Sequence, residues 1–334
     1  MRRFRHPPPC WIALAALAVL PGAARAAEAP ARVAALRVTL AARPASPIHA
    51  GAAYLKETLE AAAPGRVEVQ LAVAGPQGNG TAMLADLRRG AAQLAILDAE
   101  SQAIPAAQLT ILPFLFRDPS HRRRVAEGAE GRLLARRIAD QSGLAVLGFF
   151  ASPEHVVATA AGPITRPADL RGMVFRVAPQ PVLVEGVRGL EVSAFPLPAP
   201  VLYGAAGQRM VAGGHVDLQT VLDLNLHEML PHLSDSATPF AAGLHAVLAD
   251  RGALAALPGD LQAVLAEAVQ RAARRQMDLA EESRLRVQRE LEARGAKFAP
   301  LDAAAFRDAL RPTWEKVARA LKAEDVLGAI LNAQ

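Results

Sequence analysis

Hydrophobic and polar positions along this chain fall into blocks whose period changes several times. Leu36-Arg37-Val38-Thr39-Leu40 alternates apolar with polar, the pattern of a half-buried strand. Arg43 to Ile48 is a loop containing two prolines. From His49 to Ala63 the apolar positions Tyr54, Leu55, Leu59 and Ala62 share one side of a 3.6-residue period, and Pro64-Gly65 stops it, so a helix is predicted there. Val67, Val69 and Leu71 alternate again. Gly75 to Gly80 is a turn, Thr81 caps a helix through Arg89 that ends at Gly90, and Leu94 to Leu97 is an apolar strand. Strand–helix–strand–helix–strand is the grammar of an α/β sheet.

Leu109 to Phe116 is apolar and broken by proline, Pro119 to Asp140 is a charged, Arg-rich helix, and Leu144 to Phe150 has the continuous apolar character of a buried strand. A second set of units follows: a strand around Arg176, a helix from Pro181 to Leu190, a strand near Val192, a helix in Ala199 to Met210, and a strand at Val216 to Gln219. From Pro258 to Arg294 the helical pattern runs uninterrupted, with Leu257, Leu261, Val264, Leu265 and Ala268 as its apolar stripe and Glu281, Glu282, Arg284 and Arg286 as a solvated face. A helix of that length can brace two domains. Phe114, Phe116, Phe149 and Phe150 belong to the core, and aromatic residues are too scarce for a sugar-stacking platform.

The N-terminus changes how composition is read. Arg2, Arg3 and Arg5 precede the apolar run Trp11 to Leu20, and Ala24-Arg25-Ala26 offers a small-residue cleavage site, the pattern of an export leader spanning residues 1–26. The run is too short to span a bilayer. With the leader's four arginines gone, the formal net charge of +5 falls to +1. A near-neutral chain carries no footprint for nucleic acid as a partner. Cys10, the single cysteine, leaves with the leader, so no disulfide is expected. The expected product is a soluble exported protein cleaved after about Ala26 and located in the periplasm, by either export route.

The most informative chemistry lies in Pro163 to Val177: a turn, a short capped helix, a glycine stop at Gly172 and an apolar strand containing Arg176. Alternation puts Val174, Arg176 and Ala178 on one face and Phe175 and Val177 on the other. An arginine in an apolar strand either reaches solvent or meets an anion, and its planar fork suits a carboxylate, whether a ligand's or a structural acid's. Enzyme motifs are missing. His227 and His232 stand five apart with Pro231 between them, not on one helical face as a zinc pair requires, and are placed at the surface near a helix end. Gly75 to Gly80 lacks the Gly-Lys-Ser/Thr of a phosphate loop, no nucleophile-elbow serine occurs, and Glu57 with Glu60 reads as a solvated helix face. No catalytic residue, metal or cofactor is expected.

Several segments, taken in order, resemble the extracytoplasmic solute-binding proteins of TRAP (tripartite ATP-independent periplasmic) transporters, in the dicarboxylate-binding branch. These are Gly65-Arg66-Val67-Glu68-Val69, Met83 to Ala95, Leu112-Pro113-Phe114-Leu115-Phe116-Arg117-Asp118, Pro163 to Val177, Pro196-Leu197-Pro198 with Tyr203, and Leu257-Pro258-Gly259-Asp260-Leu261-Gln262. The resemblance runs from about Leu36 to Val317. It implies a bilobal α/β periplasmic binding-protein fold, type II-like, with a long bracing helix. The implied limits are residues 27–150 plus about 236–275 for one domain and 151–235 for the other. A helix at about 258–294 lies across both, and 295–334 form a C-terminal helical segment. It also implies a non-enzymatic function: capture of a small organic acid and its delivery to the membrane permease subunits.

The family's strand arginine, which pairs with the substrate carboxylate, falls on Arg176. A second family arginine, in the first crossing strand, falls on His155, which suits either a ligand donor or a hydrogen-bonded core histidine. Tyr203 belongs to the helix behind the ligand loop. The family's following turn aligns in two ways, one using Gly214-His215-Val216-Asp217 and one using Val211-Ala212-Gly213, which leaves His215 and Val216 facing the cleft. Asp217, Gln219 and His215 are therefore candidate ligand residues. Asn79, in Gln77 to Gly80, is either a ligand donor or a turn residue. One retained arginine beside missing polar partners suggests a monocarboxylate or a partly apolar acid. The alternatives are a binding protein of an ABC transporter or sensor system, and, from another class, an exported α/β enzyme.

Overall fold

In the computed structural model, which describes residues 33–73, 80–98, 101 and 104–333, the strands sort into two sheets. The first comprises β1 (Ala34–Leu40), β2 (Val67–Val73), β3 (Leu94–Leu97), β4 (Ala145–Ala151) and β10 (Leu244–Ala249), in the order β2-β1-β3-β10-β4. β1 pairs in parallel with β2 and β3, whereas β10 runs antiparallel to β3 and β4. The second comprises β5 (His155–Thr159), β6 (Val174–Val177), β7 (Ser193–Pro196), β8 (Gly213–Asp217), β9 (His232–Ser234) and β11 (Lys297–Ala299), in the order β11-β9-β5-β8-β6-β7. The helices are α1 (Pro47–Ala62), α2 (Gly80–Arg88), α3 (Pro119–Glu127), α4 (Ala129–Ser142), α5 (Pro181–Gly186), α6 (Leu202–Gly207), α7 (Leu218–Asp223), α8 (Arg251–Ala255), α9 (Gly259–Ala293), α10 (Ala303–Ala320) and α11 (Glu324–Asn332). None of the described helices is long and apolar enough to cross a membrane.

Local chemistry explains the elements. In β1, Leu36, Val38 and Leu40 are buried while Arg37 is exposed, so the sequence alternation becomes a two-faced strand. β3 is apolar throughout because it sits between β1 and β10, and all four of its residues are buried. α1 starts at Ser46, whose hydroxyl accepts from His49 N at 3.3 Å, and Pro47 occupies its first position, where no amide hydrogen is needed.

Several boundaries differ from the sequence reading. The helix expected over Pro119 to Asp140 is two helices, because Gly128 adopts an extended conformation (φ −84°, ψ −166°) between α3 and α4. The segments expected as helices at Pro181 to Leu190 and Ala199 to Met210 each split into a one- to two-turn α-helix and a 3₁₀ turn, at Arg188–Leu190 and Ala199–Val201. The strand expected at Val216 to Gln219 ends at Asp217, whose carboxylate accepts from Thr220 N at 2.9 Å and caps α7; Gln219 is therefore helical. The segment after the long helix opens with a strand, β11, which joins the second sheet beside β9.

α9 meets the expected bracing helix to within a residue at each end. At 35 residues it is about 52 Å long, from a rise of about 1.5 Å per residue. Leu261, Leu265, Ala268, Val269, Ala272 and Ala273 pack with α1 and the first sheet, while Val287 and Leu291 join the second sheet's cluster around Leu202, Val216 and Leu233. Met277 and Ala280, between them, join the largest cluster, which takes Phe149 and Ala246 from one sheet and Phe175 and Val177 from the other. Phe114 anchors that cluster, stacked on Phe306 at 4.6 Å and edge-on to Phe240 at 5.4 Å, and Trp314 donates to Pro113 O at 3.0 Å. Phe114, Phe116, Phe149 and Phe150 are all buried, as expected.

α1 approaches α9 closely enough that a Cβ on Gly51 would lie 2.6 Å from Gln276 Cβ and 2.9 Å from Phe150 Cε2. Gln276 has no freedom to yield, because its side-chain amide is bonded on both edges to Ala151. Gly51→Ala is therefore expected to lower unfolding free energy by about 1–3 kcal/mol, the usual cost of overpacking. Urea unfolding of the mature protein checks this, and an unchanged midpoint would contradict the packing described.

Candidate functional site

The chain passes from the first sheet to the second through Ser152-Pro153-Glu154, between β4 and β5, and returns through residues 235–243, between β9 and β10. Buried backbone groups on such a passage need partners. Ser152 N donates to Gly243 O at 2.9 Å, His155 N to Ala241 O at 2.9 Å and Phe240 N to His155 O at 2.7 Å. Gln276 accepts from Ala151 N at 2.7 Å and donates to Ala151 O at 3.0 Å. Arg122 donates from Nη1 to Ser152 O at 2.8 Å and pairs through Nη2 with the Glu154 carboxylate; both side chains are at most 5% exposed. Ser152 Oγ and His245 Nδ1 share a hydrogen bond at 2.8 Å.

Beside this passage lies a cavity of about 520 Å³, within the size range of small-molecule sites. One wall comes from the first sheet's side: the loop from Ala41 to Ile48, Asp98 after β3, and His245 of β10. The other comes from Asp217 at the end of β8 with Leu218, Gln219 and Asp223 of α7. Pro153, Glu154 and His155 form the back, and Ser283, Arg284, Arg286 and Val287 of α9 close one flank. A smaller space of about 60 Å³ adjoins it between Asp98, Pro153, His155, His245, Ile111 and Leu183.

The wall mixes apolar residues such as Ala42, Ile48, Leu218 and Val287 with more polar ones than the sequence suggested, and its charges are mostly paired. Arg43 donates to Asp223 Oδ2 at 3.0 Å and to Thr220 Oγ1 at 2.7 Å. Arg284 donates from Nε to Glu281 Oε2 at 2.8 Å and from Nη1 to Ser236 Oγ at 2.7 Å; the hydrogen bond to Arg284 holds the Glu281 carboxyl below its ordinary range. Arg284, assigned from sequence to a solvated face, is 8% exposed. Here the inward side of α9 meets the polar return segment at Ser236, not an apolar sheet. Arg43, Asp98, Glu154, His245 and Arg284 escaped the sequence reading. A usable signal existed for α9: Gln276 and Arg284 continue the spacing of Ala268, Ala272 and Ala280 into the inward stripe, where a polar residue marks a special contact.

Of the residues picked from sequence, His155, Asp217 and Gln219 line the cavity. His155 and Asp217 face each other across β5 and β8. Asp217 Oδ1 lies 3.7 Å from Arg43 Nη2, and Gln219 donates to Asp223 Oδ1 at 2.7 Å. Arg176 is 4% exposed and does not line the cavity. It donates from Nε to Leu197 O at 2.7 Å and from Nη1 to His215 O at 2.6 Å. His215 is fully buried behind His155, with its ring between those of His155 (centroids 5.1 Å, 23°) and Phe240 (5.1 Å, 18°). The two histidines meet Nδ1 to Nδ1 at 2.9 Å, and His215 Nε2 accepts from Ala178 N at 3.0 Å. Burial, with a smaller contribution from Arg176, pushes the pKa of both rings down; Asp217 opposes this at His155, and the neighbouring His155 adds to it at His215.

Other expectations are corrected. Tyr203 does not line the cavity: α6 packs on the outer cluster with Leu202, Ala205 and Val216, and the Tyr203 hydroxyl donates to Glu228 Oε2 at 2.7 Å. His215 and Val216, neighbours on a strand, point to opposite faces, and neither reaches the cavity. His227 is buried, since Leu226 and Leu230 on either side of it anchor its 3₁₀ turn in the second sheet's cluster. His232 lies in β9. Asn79 and the leader lie outside the described residues. Among the described residues no three His, Cys, Asp or Glu side chains gather as a metal site would require.

Residues 39–320 match the family described as bacterial extracellular solute-binding protein, family 7, and the chain belongs to that family. It is 24% identical over 265 residues to the 2,3-diketo-L-gulonate-binding periplasmic protein YiaO of Escherichia coli, covering 78% of this chain and 80% of that one. A TRAP periplasmic solute-binding protein of Escherichia fergusonii, in an apo open structure, superposes with a TM-score of 0.79 at 19% identity, covering 90% of this chain and all of the other. Another from Roseobacter denitrificans, with bound β-D-glucuronate, superposes with a TM-score of 0.75 at 22% identity over the same shares. The expected bilobal α/β fold and the resemblance to TRAP solute receptors thus hold. The protein is a solute-binding receptor, and its family is not an enzyme family.

The buried histidines give the fold a defined pH response. His155, His215 and His245 all have pKa values lowered by burial, and His121 is lowered to about 4 for the same reason, reinforced by Arg117 and Arg124. Below the ordinary value of 6.5 the unfolded chain takes up protons that the folded chain refuses. Stability is therefore full above that pH and falls as pH drops toward the folded values. Urea midpoints are expected to decrease from pH 7.5 to pH 5, and a flat profile would contradict the burial of neutral imidazoles. Removing the Glu154 carboxylate leaves Arg122 buried without its acid, so Glu154→Ala is expected to cost about 3–5 kcal/mol in the same assay.

Proposed function

We propose that this member of the family is the periplasmic receptor of a TRAP-type transporter, capturing an organic acid by closing two lobes over the cavity and passing it to the membrane permease subunits. The observation that carries this reading is a cavity of suitable size, lined from both sheets, at the point where the chain crosses between them. Only a ligand that binds the closed arrangement better than the open one can drive closure, and contacts to both lobes supply that difference. The lobes divide at about residues 151 and 235, at the two crossing segments. Export depends on residues 1–26, removed after about Ala26.

Arg176 is the anchor for the solute carboxylate in this reading. Two main-chain carbonyls fix its guanidinium beside His215, and it lies near enough to His155 for its charge to depress that ring's pKa. His155, Asp217 and Gln219 complete the site. The polar part of the wall refines the expected solute: Asp98, Glu154, Asp217 and Gln219 suit hydroxyl groups, beside an apolar part formed by Ala42, Ile48, Leu218 and Val287. A polyhydroxylated acid with a single carboxylate, such as a hexuronate, fits this composition, in keeping with the sugar acids named for YiaO and the Roseobacter protein. A second reading, that Arg43 takes the carboxylate, is favoured only by its direct position on the wall; Asp223 already pairs with it.

A thermal-shift screen of organic acids on the mature protein tests this, repeated with Arg176→Ala and Arg43→Ala. A uronate is expected to raise the wild-type melting temperature and to be recovered unchanged. Arg176→Ala should weaken binding at least about tenfold, the scale of losing a charge-assisted hydrogen bond, and Arg43→Ala should weaken it less. Equal stabilisation of wild type and Arg176→Ala would remove Arg176 as anchor, and turnover of a hit would overturn the receptor reading.

A further inference from the structure

The hydrogen bonds around His215 determine where the protons of the histidine pair sit. Ala178 N–H donates to His215 Nε2, so that nitrogen carries a lone pair, and the proton of neutral His215 is on Nδ1. That Nδ1–H faces His155 Nδ1 at 2.9 Å. His155 Nδ1 must then accept, which leaves the His155 proton on Nε2. The chain of donors thus runs from the Ala178 amide through His215 to His155. His155 lines the cavity, and its Nε2 has no hydrogen-bond partner among the described residues.

The same wiring keeps the pair uncharged. A proton added to His155 Nδ1 would set two N–H groups against each other, and a proton added to His215 Nε2 would displace the Ala178 bond. Either costs a buried hydrogen bond. A neutral imidazole N–H bonds a hydroxyl or carbonyl oxygen well but brings no charge to attract a second carboxylate. Stacking between His155 and Phe240 fixes the orientation of the His215 ring, and Arg176 holds the same residue by its carbonyl.

We propose that His215 is a positioning residue that fixes the Nε2–H tautomer of His155, and that His155 is a specificity-determining residue donating one neutral hydrogen bond to a hydroxyl or carbonyl oxygen of the bound acid. The second half rests on the solute-binding reading above. The pair therefore selects for an oxygen-bearing monocarboxylate and against a dicarboxylate.

Long-range ¹H–¹⁵N correlation spectra of the histidine-labelled mature protein, without ligand at pH 7, test the first half directly. The expected pattern is Nε2-protonated His155 and Nδ1-protonated His215; the reverse pattern, or a cationic ring, overturns the proposal. In His215→Phe, which retains the ring stack, His155 should become a mixture of tautomers. Binding of D-glucuronate or D-galacturonate should weaken in proportion to the lost Nε2–H fraction, about twofold for an even mixture. An unchanged His155 tautomer or unchanged affinity in that variant overturns the positioning role. His155→Arg should improve succinate binding relative to the uronates, and the opposite shift overturns the specificity role. If His215→Phe does not fold, the wild-type spectra and His155→Arg still decide. If no acid binds the wild type while the tautomer pattern stands, the solute reading has failed and the proton arrangement has not.

Discussion

The rest of the structure depends on one constraint: a chain crossing between two sheets must satisfy every polar group on the way. Residues 151–155 make that crossing, and their carbonyls, amides, the Ser152 hydroxyl and the Glu154 carboxylate draw partners from widely separated parts of the sequence. Arg122 comes from α3, Gln276 from α9, His245 from β10, and Gly243 and Ala241 from the return segment. These partners are polar because the crossing is polar, and the cavity opens beside them. On the other side the two sheets share a dry aromatic cluster around Phe114, Phe240 and Phe306. The crossing thus joins a packed core to a polar cleft.

In the proposed site, β5, β6 and β8 carry the candidate recognition residues. The β5–β8 register sets His155 opposite Asp217 at the cleft and His215 two pairs deeper, opposite Val157. β6 lies beside Gly214, where a Cβ would stand 2.7 Å from Arg176 Cβ, so the glycine permits the arginine's close approach. Arg176 and His155 are then tied to the same residue, the first through the His215 carbonyl and the second through its ring. A buried cation and a half-buried imidazole are held in fixed relation before any ligand arrives. Such preorganisation reduces the ordering cost of binding.

The order of elements and the long helix were legible because they rest on periodicity, and the core phenylalanines followed from the same signal. Arg176 stood out because charge in an apolar strand is rare. What escaped has a common cause. Arg43, Asp98, Glu154, His245 and Arg284 become neighbours only after the two sheets are brought together, and no local spacing announces that. Short 3₁₀ turns at Arg188–Leu190 and Ala199–Val201 blur the helix limits, and the strand pattern at Val216 to Gln219 hides the helix that the Asp217 cap starts at Leu218. Tyr203 rested on resemblance alone, and its hydroxyl meets Glu228 instead of lining the cavity.

In the proposed site Arg176, backed by His215, receives the carboxylate of a solute enclosed between the two sheets. A crystal structure of the mature protein grown with saturating D-glucuronate addresses it most directly. The sugar acid is expected in the cavity beside Glu154 and Asp217, with its carboxylate within hydrogen-bonding distance of the Arg176 guanidinium and contacts from both sheets. A carboxylate bound instead by Arg43 or Arg284, with Arg176 still engaged only by the protein, would contradict it.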